Sequence, residues 1–183
     1  GFMREYESIF WQLHQDFPCV LGDPLIIDLD PGYGMALRFW AEKFPSPRIF
    51  LLQTEKECTG ALKRNQEAAK NAEVQFFRST DSLFQELGEG IEAIHYLNLP
   101  LWDGTAAPHE FFPSVLPKVE HLHFSYKFHP KNGKHPTALF RYLEEAGFDY
   151  FTQAEQPYRR PMFQWVEQKP VGQTIDVWSR RLG

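Results

Sequence analysis

The sequence has few cysteines, no long apolar run and no block of basic residues, and each absence excludes a class of protein. Its two cysteines, Cys19 and Cys58, stand in neither a C-x-x-C nor a zinc-binding spacing. They indicate no redox or metal motif and fit a reducing, cytoplasmic location. No apolar stretch reaches the roughly 18 residues that a membrane span needs, so no membrane partner is expected. Because the net charge is −5 with both signs interspersed, nucleic acid is not the expected partner either.

The length and composition of the chain fit one globular domain. The chain has 183 residues, of which 43% are hydrophobic and 16% aromatic, enough to bury a substantial core. Apolar residues recur at helical spacing from Met3 to Phe17, which predicts an N-terminal helix over residues 1–20. We therefore expect a single domain over residues 1–183, with an α/β core from residue 21 onward.

The stretch Pro24 to Ala36 is the most informative segment of the chain. Four apolar residues run into Asp28, the chain then turns through Asp30, Gly32 and Gly34, and a helical pattern follows. A buried strand, a glycine turn and a helix start form the phosphate- and nucleotide-binding corner of open α/β sheets. The pattern predicts the first strand and first turn of a cofactor site.

Strand and helix patterns alternate through most of the rest of the chain. This alternation predicts a Rossmann-like α/β fold, a mostly parallel, doubly wound sheet with helices on both faces and an antiparallel C-terminal strand. The predicted strands are 25–29, 49–52, 74–77, part of 91–101, 119–126, 148–152 and 174–178, and segment 162–166 is also strand-like. Helices are predicted over 34–44, after a capping box that begins at Thr54, and after a cap at Ser79. Ligands bind at the carboxyl ends of such strands, so the turns at 30–34, 53–54, 79–81 and 102–104 are the candidate site.

The order of elements resembles the class I S-adenosylmethionine-dependent methyltransferases, and more narrowly the FkbM type, whose members methylate hydroxyl groups. The resemblance spans roughly residues 20–180, taken as element order. The segments that carry it are 22–29, 49–57 with 62–65, 97–99 with Asp103-Gly104, 119–122 and 143–148.

The resemblance implies an S-adenosylmethionine cofactor and O-methylation of a small molecule or sugar. Asp28, Asp30, Gly32 and Gly34 would surround the methionine end of the cofactor. Gln53 would face the ribose and Asp81 the adenine. Trp102 would line the substrate pocket, and Asp103 would act beside the acceptor as a catalytic residue. No metal site is implied, and the oligomeric state stays open.

Five residues depart from the family pattern, two of them Ser125 and Lys127, which stand where the fifth strand usually carries Glu and His. Asp30 stands where the first glycine belongs, Gln53 replaces an acid, and Pro100 takes the place of a fourth-strand Asp. A carboxylate about 4 Å from the cofactor carboxylate would cost roughly 4 kcal/mol at an effective dielectric constant near 20. The alternative function is therefore a non-catalytic methyltransferase-like interaction module that has lost its cofactor.

Other interpretations of single residues stay open. Asp28 to Gly34 could be a strand–helix turn without a ligand, and Asp81 could merely complement a helix dipole. Asp103-Gly104 could be an ordinary turn. His121 and His123 alternate on a strand and so share one face, but no carboxylate or cysteine accompanies them at ligand spacing, which argues against a metal. A dinucleotide dehydrogenase is disfavoured because Leu37 replaces the third glycine of G-x-G-x-x-G.

Overall fold

Every described strand belongs to one eight-stranded sheet. The structure is a computed structural model that describes residues 23–53, 59–88, 90–99, 112–127, 143–152, 157–158 and 174–181. The strands are β1 (Leu25–Asp28), β2 (Arg48–Leu52), β3 (Glu73–Phe77), β4 (Ile94–Asn98), β5 (Val119–Lys127), β6 (Phe148–Thr152), β7 (Pro157–Tyr158) and β8 (Thr174–Arg181). The helices are α1 (Met35–Lys43), α2 (Thr59–Ala68), α3 (Thr80–Leu87) and the short α4 (Phe112–Val115), which runs into a 3-10 turn, Leu116–Lys118.

The first five strands are parallel, as the alternation predicts. β1 lies at the centre, between β2 and β4, and β3 and β5 flank them. Their carboxyl ends therefore meet at one edge of the sheet. β8 pairs antiparallel with both β5 and β6, and β7 pairs antiparallel with β6. The order of the strands in the sheet is therefore β3-β2-β1-β4-β5-β8-β6-β7.

The sheet is covered on both faces because its central strands are apolar on both sides. Leu25 and Ile27 of β1 pack into one core cluster with Leu83 of α3 and Leu116 of the 3-10 turn. Ile26 packs into a second cluster with residues of α1 and α2, among them Leu37, Trp40 and Leu62. Side chains alternate along a strand, so neighbours in β1 enter different cores. The prediction of helices on both faces is confirmed.

Element bounds agree closely with the sequence patterns, with one omission. The predicted helix 34–44 is observed as α1, and Ser79 caps α3 as expected, because its side chain accepts a hydrogen bond from the Ser82 backbone N–H. β7 was not predicted. The predicted N-terminal helix, the capping box at Thr54 and the strand-like segment 162–166 lie outside the described residues. None of the helices in the described ranges is long and apolar enough to cross a membrane.

The end of α1 is held by a residue from the distant loop before β3. Asn71 Nδ2 lies 2.8 Å from the carbonyl oxygens of Ala41 and Phe44 and 3.2 Å from that of Pro45. The last carbonyls of a helix have no partner within it, and this one amide reaches Ala41 in the last turn of α1 and the two residues that follow the helix. It thereby fixes α1 relative to β3.

We expect Asn71→Ala to lower the free energy of unfolding by about 1 kcal/mol, because hydrogen bonds to the end of α1 are lost. Urea unfolding measures the change. Lys70→Ala, at the exposed neighbouring position, is the matched control and should stay within about 0.5 kcal/mol of wild type. Equal effects of the two substitutions would contradict the assignment.

Candidate functional site

Three polar side chains form a row across the carboxyl ends of β1, β4 and β5. Asp28 is in register with Asn98, and Asn98 is in register with His123. Asp28 and Asn98 are 2% and 8% exposed, and His123 is half-buried. Because each stands at the same level of adjacent strands, the register alone brings them onto one face, the face that α1 and α2 cover.

Hydrogen bonds join the row into a chain. Asp28 Oδ1 accepts from the Asp30 backbone N–H at 3.0 Å and from Asn98 Nδ2 at 2.6 Å. Asn98 Oδ1 lies 2.6 Å from His123 Nδ1. Within the described part of the chain, both hydrogen bonds to Asp28 go to Oδ1, so Oδ2 is left for another donor.

The carboxyl of Asp28 is electrostatically unusual. Burial raises its pKa from the ordinary 3.8 to about 6; the Asn98 amide and the Asp30 N–H oppose this rise, and the Asp30 carboxylate adds to it. A desolvated acid whose charge is offset only by neutral donors favours a cationic ligand. A perturbed pKa at the edge where such sheets bind ligands is typical of a functional site.

The turn after Asp28 has the backbone that its glycines predict. Gly32 and Gly34 have φ of 49° and 78°, the left-handed region in which a side chain is strained. At Gly34 a Cβ would also lie 2.6 Å from Leu62 Cδ1 of α2. Asn65 of α2 donates to the Tyr33 carbonyl at 2.7 Å. The turn is therefore clamped against α2, whereas a Cβ at Gly32 would meet nothing within 4 Å.

Asp30 lies in the turn without straining it. No residue other than glycine has a positive φ in the described ranges, so the backbone of Asp30 is not left-handed. Its side chain is exposed, and its N–H is the donor to Asp28. The departure from glycine thus leaves the turn intact and changes its charge.

The remaining predicted residues are dispersed. Gln53 is half-buried just after β2, and its backbone N–H donates to the Phe77 carbonyl at 2.8 Å. Asp81 is exposed in the first turn of α3. Pro100, Trp102 and Asp103 lie outside the described residues. The roles of Gln53, Asp81, Trp102 and Asp103 stay predictions.

Sequence reasoning missed the parts of Asn98 and His123 in this site. The available signal was a polar residue, Asn98, between Leu97 and Leu99 at the end of the fourth strand. His123 was noticed only for sharing a face with His121. Across the parts of the chain that the structure describes, no group of three or more His, Cys, Asp or Glu residues could hold a metal ion.

We expect Gly34→Ala to lower the free energy of unfolding by about 2–4 kcal/mol, since left-handed strain adds to overlap with Leu62. Gly32→Ala is the matched variant; it meets only the strain, about 1 kcal/mol. Chemical denaturation of the two proteins side by side measures the difference. Equal losses would show that α2 does not clamp the turn.

We expect Asp28→Asn to stabilise the protein above about pH 6. The folded pKa of about 6 exceeds the unfolded value near 3.9. Wild-type stability is therefore lost as pH rises from about 4 to about 6, by roughly 3 kcal/mol. Asn keeps an oxygen for Asn98 and Asp30 but does not ionise. Urea unfolding at pH values from about 4 to about 7.5 measures the difference in free energy of unfolding between the variant and wild type. Over this range the difference should shift by about 3 kcal/mol in favour of the variant. A difference that does not depend on pH would contradict the raised pKa.

The sequence matches no protein-family model, and no curated protein is significantly similar to it. Solved structures are similar to the whole fold. An rRNA methylase from Streptococcus thermophilus has a TM-score of 0.55 at 14% identity, covering 88% of each chain.

Two further structures hold the cofactor or its product. The plantazolicin methyltransferase BpumL, solved with S-adenosylhomocysteine (SAH), has a TM-score of 0.56 at 11% identity, covering 97% of this chain and 82% of that one. The magnesium protoporphyrin IX methyltransferase ChlM from Synechocystis PCC 6803, solved with S-adenosylmethionine (SAM), has a TM-score of 0.52 at 12% identity, covering 98% and 79%. This chain therefore has the Rossmann-like fold of class I SAM-dependent methyltransferases.

Proposed function

We propose that this protein is a SAM-dependent methyltransferase that methylates an oxygen of a small molecule or sugar, in the manner of the FkbM type. The observation that carries the proposal is the buried Asp28 carboxylate. It stands beside the glycine turn at the carboxyl end of the central strand, with both described hydrogen bonds on one oxygen. In this fold, that position is where a nucleotide-type cofactor meets the sheet.

The charge of SAM fits this position. Its methionine part carries an ammonium group, and a cation beside Asp28 would offset the desolvation that raises the Asp28 pKa. We assign the ammonium to Asp28 Oδ2. The opening at Gly32, where a Cβ would meet nothing within 4 Å, leaves room for the methionine end against the backbone of the turn.

The other contacts follow from the strand order. Gln53, after β2, would face the ribose, and Asp81, in the first turn of α3, the adenine. Asp30 would lie near the methionine carboxylate, where its charge opposes binding, or near a cationic group, where it favours binding. Removing the Asp30 charge distinguishes these two positions.

Bound SAM supplies an electrophilic methyl group, and the acceptor hydroxyl must be held in line with it while its proton passes to a base. We propose Asp103 as that base and Trp102 as part of the acceptor pocket. A net charge of −5 favours a small-molecule or sugar acceptor over RNA. The FkbM type, the hydroxyl acceptor and a cytoplasmic location stay predictions.

Calorimetric titration with SAM and with SAH tests the proposal. We expect wild type to bind both, and Asp28→Asn to bind both at least about tenfold more weakly, because a hydrogen bond to a charged group contributes roughly 1.5–3 kcal/mol. SAH lacks the sulfonium charge but keeps the ammonium. Equal losses for the two ligands would support the ammonium contact, whereas a loss confined to SAM would place the sulfonium at Asp28.

The pH dependence gives an independent check on the same contact. If ionised Asp28 is the binding form, affinity at about pH 5 should be roughly tenfold lower than at about pH 7.5, since the pKa is about 6. Asp28→Asn should lose this dependence, and Asp30→Asn, at the exposed neighbouring acid, should keep it. Absence of heat at millimolar SAM would exclude the proposal and favour the non-catalytic interaction module.

A further inference from the structure

The hydrogen-bond chain beyond Asp28 has a defined direction. An ionised carboxylate has no hydrogen to donate, so Asn98 must present its amide nitrogen, and Nδ2 lies 2.6 Å from Asp28 Oδ1. The carbonyl oxygen of Asn98 then faces β5, where His123 Nδ1 lies 2.6 Å away. Both orientations follow from the charge on Asp28.

This direction fixes the tautomer of His123. The Asn98 oxygen can only accept a hydrogen bond, so His123 Nδ1 must carry the hydrogen and donate it. Donation from β5 holds the Asn98 amide in the orientation that serves Asp28. Three strands are thereby coupled through side chains 70 and 25 residues apart in the sequence.

We propose that Asn98 and His123 are positioning residues for the cofactor: His123, through Asn98, holds the Asp28 carboxylate with Oδ1 engaged and Oδ2 directed to the cationic group of the ligand. This inference rests on the proposed function for its ligand. The inference adds His123 on β5, two strands from Asp28, to the residues that support ligand binding. His123 acts through Asn98 and need not touch the ligand.

The chain contains a matched control for His123. His121 lies on the same strand and, two residues away, on the same face, and it is also half-buried. Its Nδ1 is 3.0 Å from the backbone oxygen of His95 on β4. Replacing it therefore removes a similar interstrand hydrogen bond that does not lead to Asp28.

The experiment compares His123→Leu, His123→Asn and His121→Leu by calorimetric titration with SAM at about pH 8. Leucine removes the donor at similar volume, whereas asparagine keeps an N–H near the position of Nδ1. We expect His123→Leu to bind about three- to tenfold more weakly, the range for one hydrogen bond. His123→Asn and His121→Leu should stay within about twofold of wild type.

A second measurement does not need the ligand. Carbon-13 NMR titration of the Asp28 carboxyl in the free protein should show its pKa above the wild-type value in His123→Leu. The pKa should be unchanged in His123→Asn and His121→Leu, because the donor that orients Asn98 is kept.

The results separate the inference from the proposed function. If wild type binds SAM and His123→Leu binds it equally well, the inference is wrong and the function stands. If His123→Asn binds SAM as weakly as His123→Leu, packing of the imidazole ring rather than its hydrogen-bond donation supports binding, and the inference is again wrong. If wild type does not bind SAM, the function fails, and the Asp28 titration alone decides: a rise specific to His123→Leu supports the coupling, and no rise overturns it.

Discussion

Burial of the Asp28 carboxylate is the constraint on which the rest of the site depends. Removing an ionised carboxyl from water is costly unless donors replace the water. Here the donors come from two places, the Asp30 backbone N–H in the turn and the Asn98 amide on β4. The turn must therefore fold back on the end of β1, and β4 must pair in one register. Both donors are neutral, which is why the pKa stays raised.

The glycine turn links this acid to the helices on the same face. A Cβ at Gly34 would overlap the Leu62 side chain, and Asn65 donates to the Tyr33 carbonyl. α2 thus supports the turn from one side. Tyr33 itself is 67% exposed, and Gly32 has open space beside it. The turn is rigid where it meets α2 and accessible elsewhere, an arrangement suited to bringing backbone close to a ligand.

The features that the sequence predicted correctly depend on residues close to one another in the chain. The strand before Asp28, the glycine turn and the Ser79 cap each follow from residues within a few positions of one another. Asn98, His123 and Asn71 could not be found in this way, because their partners lie 70, 25 and about 30 residues away. Strand register, a property of the assembled sheet, brings Asp28, Asn98 and His123 together. The raised pKa of Asp28 likewise depends on burial, whereas the residue itself was identifiable as an acid at a strand end.

The exposure of the Asp30 side chain lowers the charge repulsion that the sequence alone indicates. Two carboxylates about 4 Å apart repel by roughly 4 kcal/mol at an effective dielectric constant near 20, but by about 1 kcal/mol in bulk water. The side chain of Asp30 is exposed, so its repulsion of a bound carboxylate lies toward the lower figure. Its charge also raises the pKa of Asp28, and a cation near the turn would relieve the repulsion between the two acids. The substitution therefore disfavours an anionic group beside the turn less than the sequence alone indicates, and it strengthens the preference of the site for a cationic one.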